Sequence, residues 1–174
     1  FESGIPGTWT IYTPQGDKKW FTSTFNDNTY ACITGYKGTK PPFEAWLISP
    51  AIDIKKAKSK ILSFKSQVGY QGGDKFEVFI FNGQTPFKGS VTDKIDCKLA
   101  VAPATGYSGF VESGDIDLSK YADGTYYIGF RYTAVAASSY QTWCIDDFSF
   151  GAASAAATRG DFESFNNGTP TALY

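Results

Sequence analysis

A chain of 174 residues suits one domain with a well-filled core plus a short extra piece. Its formal charge of −1 offers no basic field for nucleic acid or an anionic membrane surface, and no apolar run approaches the ~18 to 20 residues of a membrane helix. Histidine is absent, which removes Ser-His-Asp triads, Cys-His dyads, HExxH zinc sites and imidazole proton shuttles together.

Aromatic residues make up 17% of the chain, glycine is frequent, and long runs at helical spacing are missing. That mixture predicts strands and turns. Residues 1–3 read as a short first strand stopped by Gly4-Ile5-Pro6-Gly7. Residues 8–13, TWTIYT, alternate apolar and polar and predict a strand. Strands follow at 20–24 and 29–36, either side of Asn26-Asp27-Asn28, and at 45–49, AWLIS. Residues 60–68 alternate cleanly. Residues 75–82 are Phe-rich on both faces, as expected of a strand covered on both sides. A long polar connection spans 84–96, with weaker strands at 97–101 and 110–116 and a short helical turn at 117–121. Residues 125–133 put Tyr126, Ile128, Phe130 and Tyr132 on one face, and 142–150, TWCIDDFSF, closes the domain. About ten short strands with almost no helix signal predict an all-β fold, a two-sheet antiparallel jelly-roll β-sandwich over residues 1–150. A jelly roll would set the terminal strands side by side.

Residues 151–160, GAASAAATRG, have a linker composition. After them, Asp161-Phe162-Glu163-Ser164 echoes the opening Phe1-Glu2-Ser3. Residues 161–174 therefore read as the start of a second similar module, or as a C-terminal tail pairing with the same domain. With no initiator Met, the expectation is a trimmed mature piece of a longer multidomain protein, monomeric within it.

The carboxylates Asp146 and Asp147 sit inside an otherwise apolar strand, where an unpaired charge is costly. Two readings stand. In one, Glu2 joins them around a metal ion where the first and last strands meet, and all-oxygen ligands favour calcium over zinc. In the other, they pair with Arg131 or a lysine, or face solvent at the sheet edge. Alternation sends adjacent residues to opposite faces, so one of the two aspartates faces the ion unless a bulge intervenes. Cysteines 32, 97 and 144 allow at most one disulfide, and the apolar runs around Cys32 and Cys144 predict buried free thiols. Paired carboxylates can be catalytic, but no motif here specifies a cleft, and the reading is of no enzyme.

Several short motifs then occur in a known order. They are Phe1-Glu2, the middle run Trp46-Leu47-Ile48-Ser49-Pro50-Ala51-Ile52-Asp53, then Tyr127-Ile128-Gly129-Phe130-Arg131-Tyr132, and the closing Ile145-Asp146-Asp147-Phe148. Together they resemble the cleaved-adhesin and choice-of-anchor-J jelly-roll modules of Bacteroidetes surface proteins, over residues 1–150. The resemblance implies a non-catalytic adhesion or carbohydrate-binding module. It implies a secreted or cell-surface, outer-membrane-anchored parent protein. It also implies a structural calcium between first and last strands, with Glu2 and one of the two aspartates as ligands. Some relatives carry an Asp-rich DxDGDG loop before the early Trp. Here only Asp17 remains, followed by two lysines, which argues against a second calcium there.

Nine aromatics fall near predicted strand ends or loops: Trp9, Trp20, Tyr36, Trp46, Tyr70, Phe87, Tyr107, Tyr140 and Trp143. An exposed aromatic platform stacks on sugar rings, but most such residues in a sandwich are core. Trp46 and Trp143 are expected in the core; Tyr70 and Tyr107, beside glycine-rich turns, are the expected ligand-binding pair. The partner would be a glycan or a host or cell-surface protein. The other functional readings are a structural spacer or protein-interaction domain, and an accessory domain of a secreted hydrolase.

Overall fold

In a computed structural model the chain is described at residues 1–82, 91–135 and 140–151, with short strands at 163–164 and 169–170. The described part contains no helix and is built from two antiparallel sheets packed face to face.

The first sheet runs in the order β1 (Thr10–Gln15), β4 (Phe43–Ile48), β11 (Thr125–Ala134), β7 (Lys75–Phe81) and β8 (Val91–Ile95), with β5 (Ile52–Asp53) also pairing with β11. The second runs β10 (Ile116–Asp117), β6 (Ile61–Gly69), β12 (Thr142–Phe150), β3 (Asn28–Thr34) and β2 (Phe21–Phe25), with β9 (Val111–Glu112) on β6. The expected all-β, two-sheet antiparallel sandwich is the fold observed.

Alternation explains the core. Ile128, Phe130 and Tyr132 of β11, Phe76, Val78 and Ile80 of β7, and Leu62, Phe64 and Val68 of β6 all point inward and are buried. Aromatic rings knit the two layers together. Trp9 meets Phe148 edge-on at 5.0 Å, Phe64 meets Phe130 at 5.1 Å, and Phe76 stacks on Trp143 at 4.7 Å. The Phe-rich strand is covered on both sides, as its composition predicted. Its outward Phe79 and Phe81 join Trp46, Tyr12 and Tyr127 in a second cluster on the outer face of the first sheet. Gly129 makes room there, since a Cβ would come within 2.8 Å of the Trp46 ring. Arg131 lies over Trp46 and Phe79 while binding Glu77 at 2.7 Å. Trp46 is therefore buried as expected, but outside the main core.

Four expectations are corrected. Residues 1–3 form a turn, not a strand, and Phe1 is driven fully into the core against Trp9. The first strand, β1, is an edge of one sheet while the last long strand, β12, lies inside the other, so the terminal strands are not neighbours. Residues 97–101 are not a strand; the second partner of β7, on the side away from β11, is β8, within the stretch read as a polar connection. The strand expected at 110–116 is two short ones, broken at Gly114 with φ +74°. After β5 the lysine-rich stretch 55–60 opens with an exposed turn, in which Asp53 accepts the Lys55 and Lys56 amides. The linker 151–160 and the piece 161–174 lie outside the described residues, apart from β13 (Glu163–Ser164) and β14 (Thr169–Pro170), which pair with each other.

Candidate functional site

Two places carry chemistry, and both belong to the second sheet. The first is its outer face. Odd and even positions of β12 part company: Trp143 and Ile145 face the core, while Cys144 faces out. Register places Phe21, Cys32 and Cys144 side by side in one row across β2, β3 and β12, with Ser23 opposite Tyr30 in the next. These residues floor a groove of about 950 Å³. Its rim is aromatic and polar, formed by Tyr36, Lys37, Tyr70, Gln71, Tyr107 and Tyr140.

Tyr70 and Tyr107, singled out from the sequence, are brought together here. Their rings meet edge-on at 5.2 Å, and each stays about half exposed. Backbone geometry holds them. Tyr70 sits at φ +68°, a left-handed conformation that costs a non-glycine residue roughly 1 kcal/mol. Its amide donates to the Gly106 carbonyl at 2.9 Å, and the Gln141 side chain donates to the Tyr70 carbonyl at 3.3 Å. The Gln71 side-chain amide fastens the same turn to the carbonyls of Ala102 and Pro103.

Asp74 locks this end of the groove. Its carboxylate accepts the Tyr132 hydroxyl and the Gln141 amide, the latter at 2.8 Å, while the Tyr132 oxygen accepts the Gly35 amide at 2.9 Å. Burial raises the Asp74 pKa, and these two donors oppose the rise. Three segments that bear rim tyrosines are thus tied to one carboxylate. Sequence reasoning missed Asp74, as nothing in Gln71-Gly72-Gly73-Asp74 separates it from an ordinary turn residue. It also missed Phe21 and Tyr30, although the outward alternation of Tyr30, Cys32 and Thr34 was legible. Of the other aromatics, Trp9, Trp20 and Trp143 are core, and Phe87 lies outside the described residues.

The second place is the carboxylate cluster. A register shift between Asp146 and Ser149 marks a β-bulge, with Asp147 at φ +51°. The bulge breaks the alternation. Asp147 reaches Lys65 at 3.0 Å, and Lys65 is the cross-strand partner of Asp146. Glu2 and Asp146 are bound to consecutive residues: the Thr29 amide donates to Glu2 at 3.1 Å, and Asn28 Nδ2 donates to Asp146 Oδ2 at 3.0 Å. Asp146 is only 3% exposed. Burial pushes its carboxyl up to about 6, despite the Asn28 hydrogen bond. Oδ1 of Asp146 and Oδ1 of Asp147 are buried with no hydrogen-bond partner among the described residues. Two orphaned hard oxygens suit a hard cation. No three acidic, cysteine or histidine side chains among the described residues form a ready metal cluster, so such an ion would complete its shell with carbonyls and water. Asp17 is committed elsewhere: Thr39 and Lys40 donate to it and hold its pKa near 2.

Among solved structures the chain is similar to cleaved adhesin domains of Lys-gingipain. The K1 domain from Porphyromonas gingivalis aligns with TM-score 0.51 and 17% identity, over 83% of this chain and 92% of that one. The K3 domain from the same organism aligns with TM-score 0.53 and 15% identity, over 85% and 93%. The fold is that of the cleaved adhesin domains. At such identity the likeness concerns the cleaved-adhesin sandwich alone. No protein-family model and no curated protein matches the chain. No helix among the described residues is long and apolar enough to cross a membrane.

Proposed function

We propose that the chain is a non-catalytic carbohydrate-binding or adhesion module of a secreted or cell-surface bacterial protein, and that the groove on the second sheet holds the glycan. The observation that carries this reading is the half-exposed Tyr70–Tyr107 ring pair at the rim. A sugar ring has an apolar C–H face and a periphery of hydroxyls. Tyrosine rings complement the first, and at the rim the Gln71 side-chain oxygen, as acceptor, and the Lys37 ammonium, as donor, meet the second. Ring positions fixed by the isolated bridge between Gly69 and Tyr107, and by Gln141 and Asp74, spare the ligand the cost of ordering them. The cleaved-adhesin fold is in keeping with a surface location, within a longer and outer-membrane-anchored multidomain protein.

We further propose that a structural calcium is held at the bulge, with Asp146 as its first ligand and Glu2 and Asp147 beside it. The two orphaned carboxylate oxygens support this. Lys65 already neutralises one oxygen of Asp147, which leaves Asp146 as the stronger donor. The ion would fix the opening Phe1-Glu2 segment to β12 and β3, and would take no part in the groove.

A glycan array probed with the labelled protein tests the first reading, followed by titration calorimetry on any hit. Binding that is lost in Tyr70→Ala and Tyr107→Ala is the expected result. No signal above background on a broad array would abandon the glycan in favour of a host or cell-surface protein partner.

A further inference from the structure

Cys32, Cys97 and Cys144 are free thiols in the structure, the first and last buried as the sequence predicted, and the fold brings those two together. Cys32 of β3 and Cys144 of β12 are direct cross-strand partners in the antiparallel register. Such partners have Cα atoms about 4.5 or about 5.5 Å apart, depending on which alternating ladder position they occupy. Both values fall in the roughly 4.4–6.8 Å window that a disulfide spans. The two side chains point to the same face of the sheet and pack together in one small buried cluster outside the main core. Tyr30 and Phe110 close over them, with rings 5.1 Å apart. Cys97 is elsewhere, packed against the main core.

We propose that Cys32 and Cys144 are joined by a disulfide in the working protein, as a cross-link in the floor of the groove. Two S–H bonds break and one S–S bond forms. The oxidant is a disulfide donor, either a small one such as glutathione disulfide or an extracytoplasmic dithiol oxidase. Its own S–S bond is reduced to two thiols, which take up the two protons. Both cysteines are almost completely buried once folded, so the exchange takes place while β3 and β12 are still coming together. The oxidising setting follows from the proposed extracellular location, but the chemistry does not depend on what the groove binds. Closing the loop between residues 32 and 144 removes much of the freedom of the unfolded chain. It also pins the two strands that carry the groove floor.

The test uses the whole chain, refolded in a glutathione redox buffer and, in parallel, exported to an oxidising compartment. Each sample is denatured in alkylating reagent without reductant, digested and weighed. The expected result is alkylation at Cys97 alone, with the Cys32 and Cys144 peptides linked and lighter by two hydrogens than their reduced sum. Adding reductant should lower Tm by on the order of 10 °C, and Cys97→Ser should leave both results unchanged. Three alkylated thiols in both samples, or a bond involving Cys97, would overturn the proposal. Since the decisive measurement is made on the unmutated chain, it does not depend on a serine variant folding. A glycan array without hits would leave this result untouched, so the two readings fail separately.

Discussion

The ring of Tyr107 lies directly over Gly69, so that a Cβ on that glycine would come within 2.6 Å of the ring. The two residues also form an isolated antiparallel bridge, with β6 ending where the loop carrying Tyr107 passes it. A missing side chain is therefore what seats one of the two rim tyrosines.

Gly69→Ala should push the Tyr107 ring away from Tyr70 and reshape the groove. The expected outcome is a loss of ligand affinity of tenfold or more, with a stability loss of about 1 to 2 kcal/mol. Titration calorimetry reads the first and urea unfolding the second. Unchanged affinity would mean that the seat of Tyr107 has no bearing on binding.

Tyr70→Ala and Tyr107→Ala remove half-exposed rings that contribute little to the core. Each should leave Tm within a few degrees of the parent and cost roughly 2 kcal/mol of binding, about 30-fold, as for an anchoring aromatic. A Trp20→Ala control should do the reverse. Trp20 is buried and donates to the Ala45 carbonyl at 3.2 Å, so its loss should cost about 3 to 5 kcal/mol of stability.

Asp74→Ala strands the Tyr132 hydroxyl and the Gln141 amide, which both donate to it. Leaving buried donors unpaired costs about 1 to 3 kcal/mol each. Because the network also reaches Tyr70 through Gln141, affinity should fall together with stability. Amide hydrogen exchange should show faster opening at residues 35–37, 70–74 and 140–142. Protection unchanged at those three segments would sink the idea that one carboxylate ties them.

Asp146 sets a pH dependence whose sign follows from its raised pKa. Its folded value, about 6, lies above the ordinary 3.8 because burial disfavours the charged form. The folded state thus holds the proton more tightly. That contribution to stability is complete below about pH 4 and is lost as pH rises through about 6, by up to about 3 kcal/mol. Lowered carboxylates such as Asp17 act oppositely, but in the window below pH 4. With calcium in place of the proton, the loss above pH 4 should shrink. Urea midpoints measured from pH 4 to 7, in EDTA and in millimolar calcium, should diverge as pH rises. Curves that superimpose at pH 7 would remove the calcium.

The sandwich itself was legible from residues 60–68, 75–82 and 125–133, because alternation is a local signal and each strand carries its own. The carboxylate pair was legible as an anomaly in Thr142–Phe150, and so was the conditional role of a bulge at Asp146-Asp147. The groove was half legible. Tyr70 and Tyr107 stood beside glycine turns, but nothing local connected them to Tyr36, Phe21 or Asp74. The turn at residues 1–3 was misread as a strand because Phe-Glu-Ser alternates as a strand does; burial of Phe1 against Trp9 decides otherwise.

Taken alone, the sequence determined fold class, the absence of imidazole chemistry and the kinds of group available: oxygen donors, tyrosine rings and three thiols. These follow from composition and short-range periodicity, which no tertiary contact can alter. Only the tertiary structure decided which groups meet. Strand order brought Cys32 to Cys144 across 112 residues of chain, Glu2 to Asp146 through Asn28 and Thr29, and Tyr70 to Tyr107 over Gly69. The pairing of distant strands rests on the packing of both sheets at once, and no local stretch of sequence contains it.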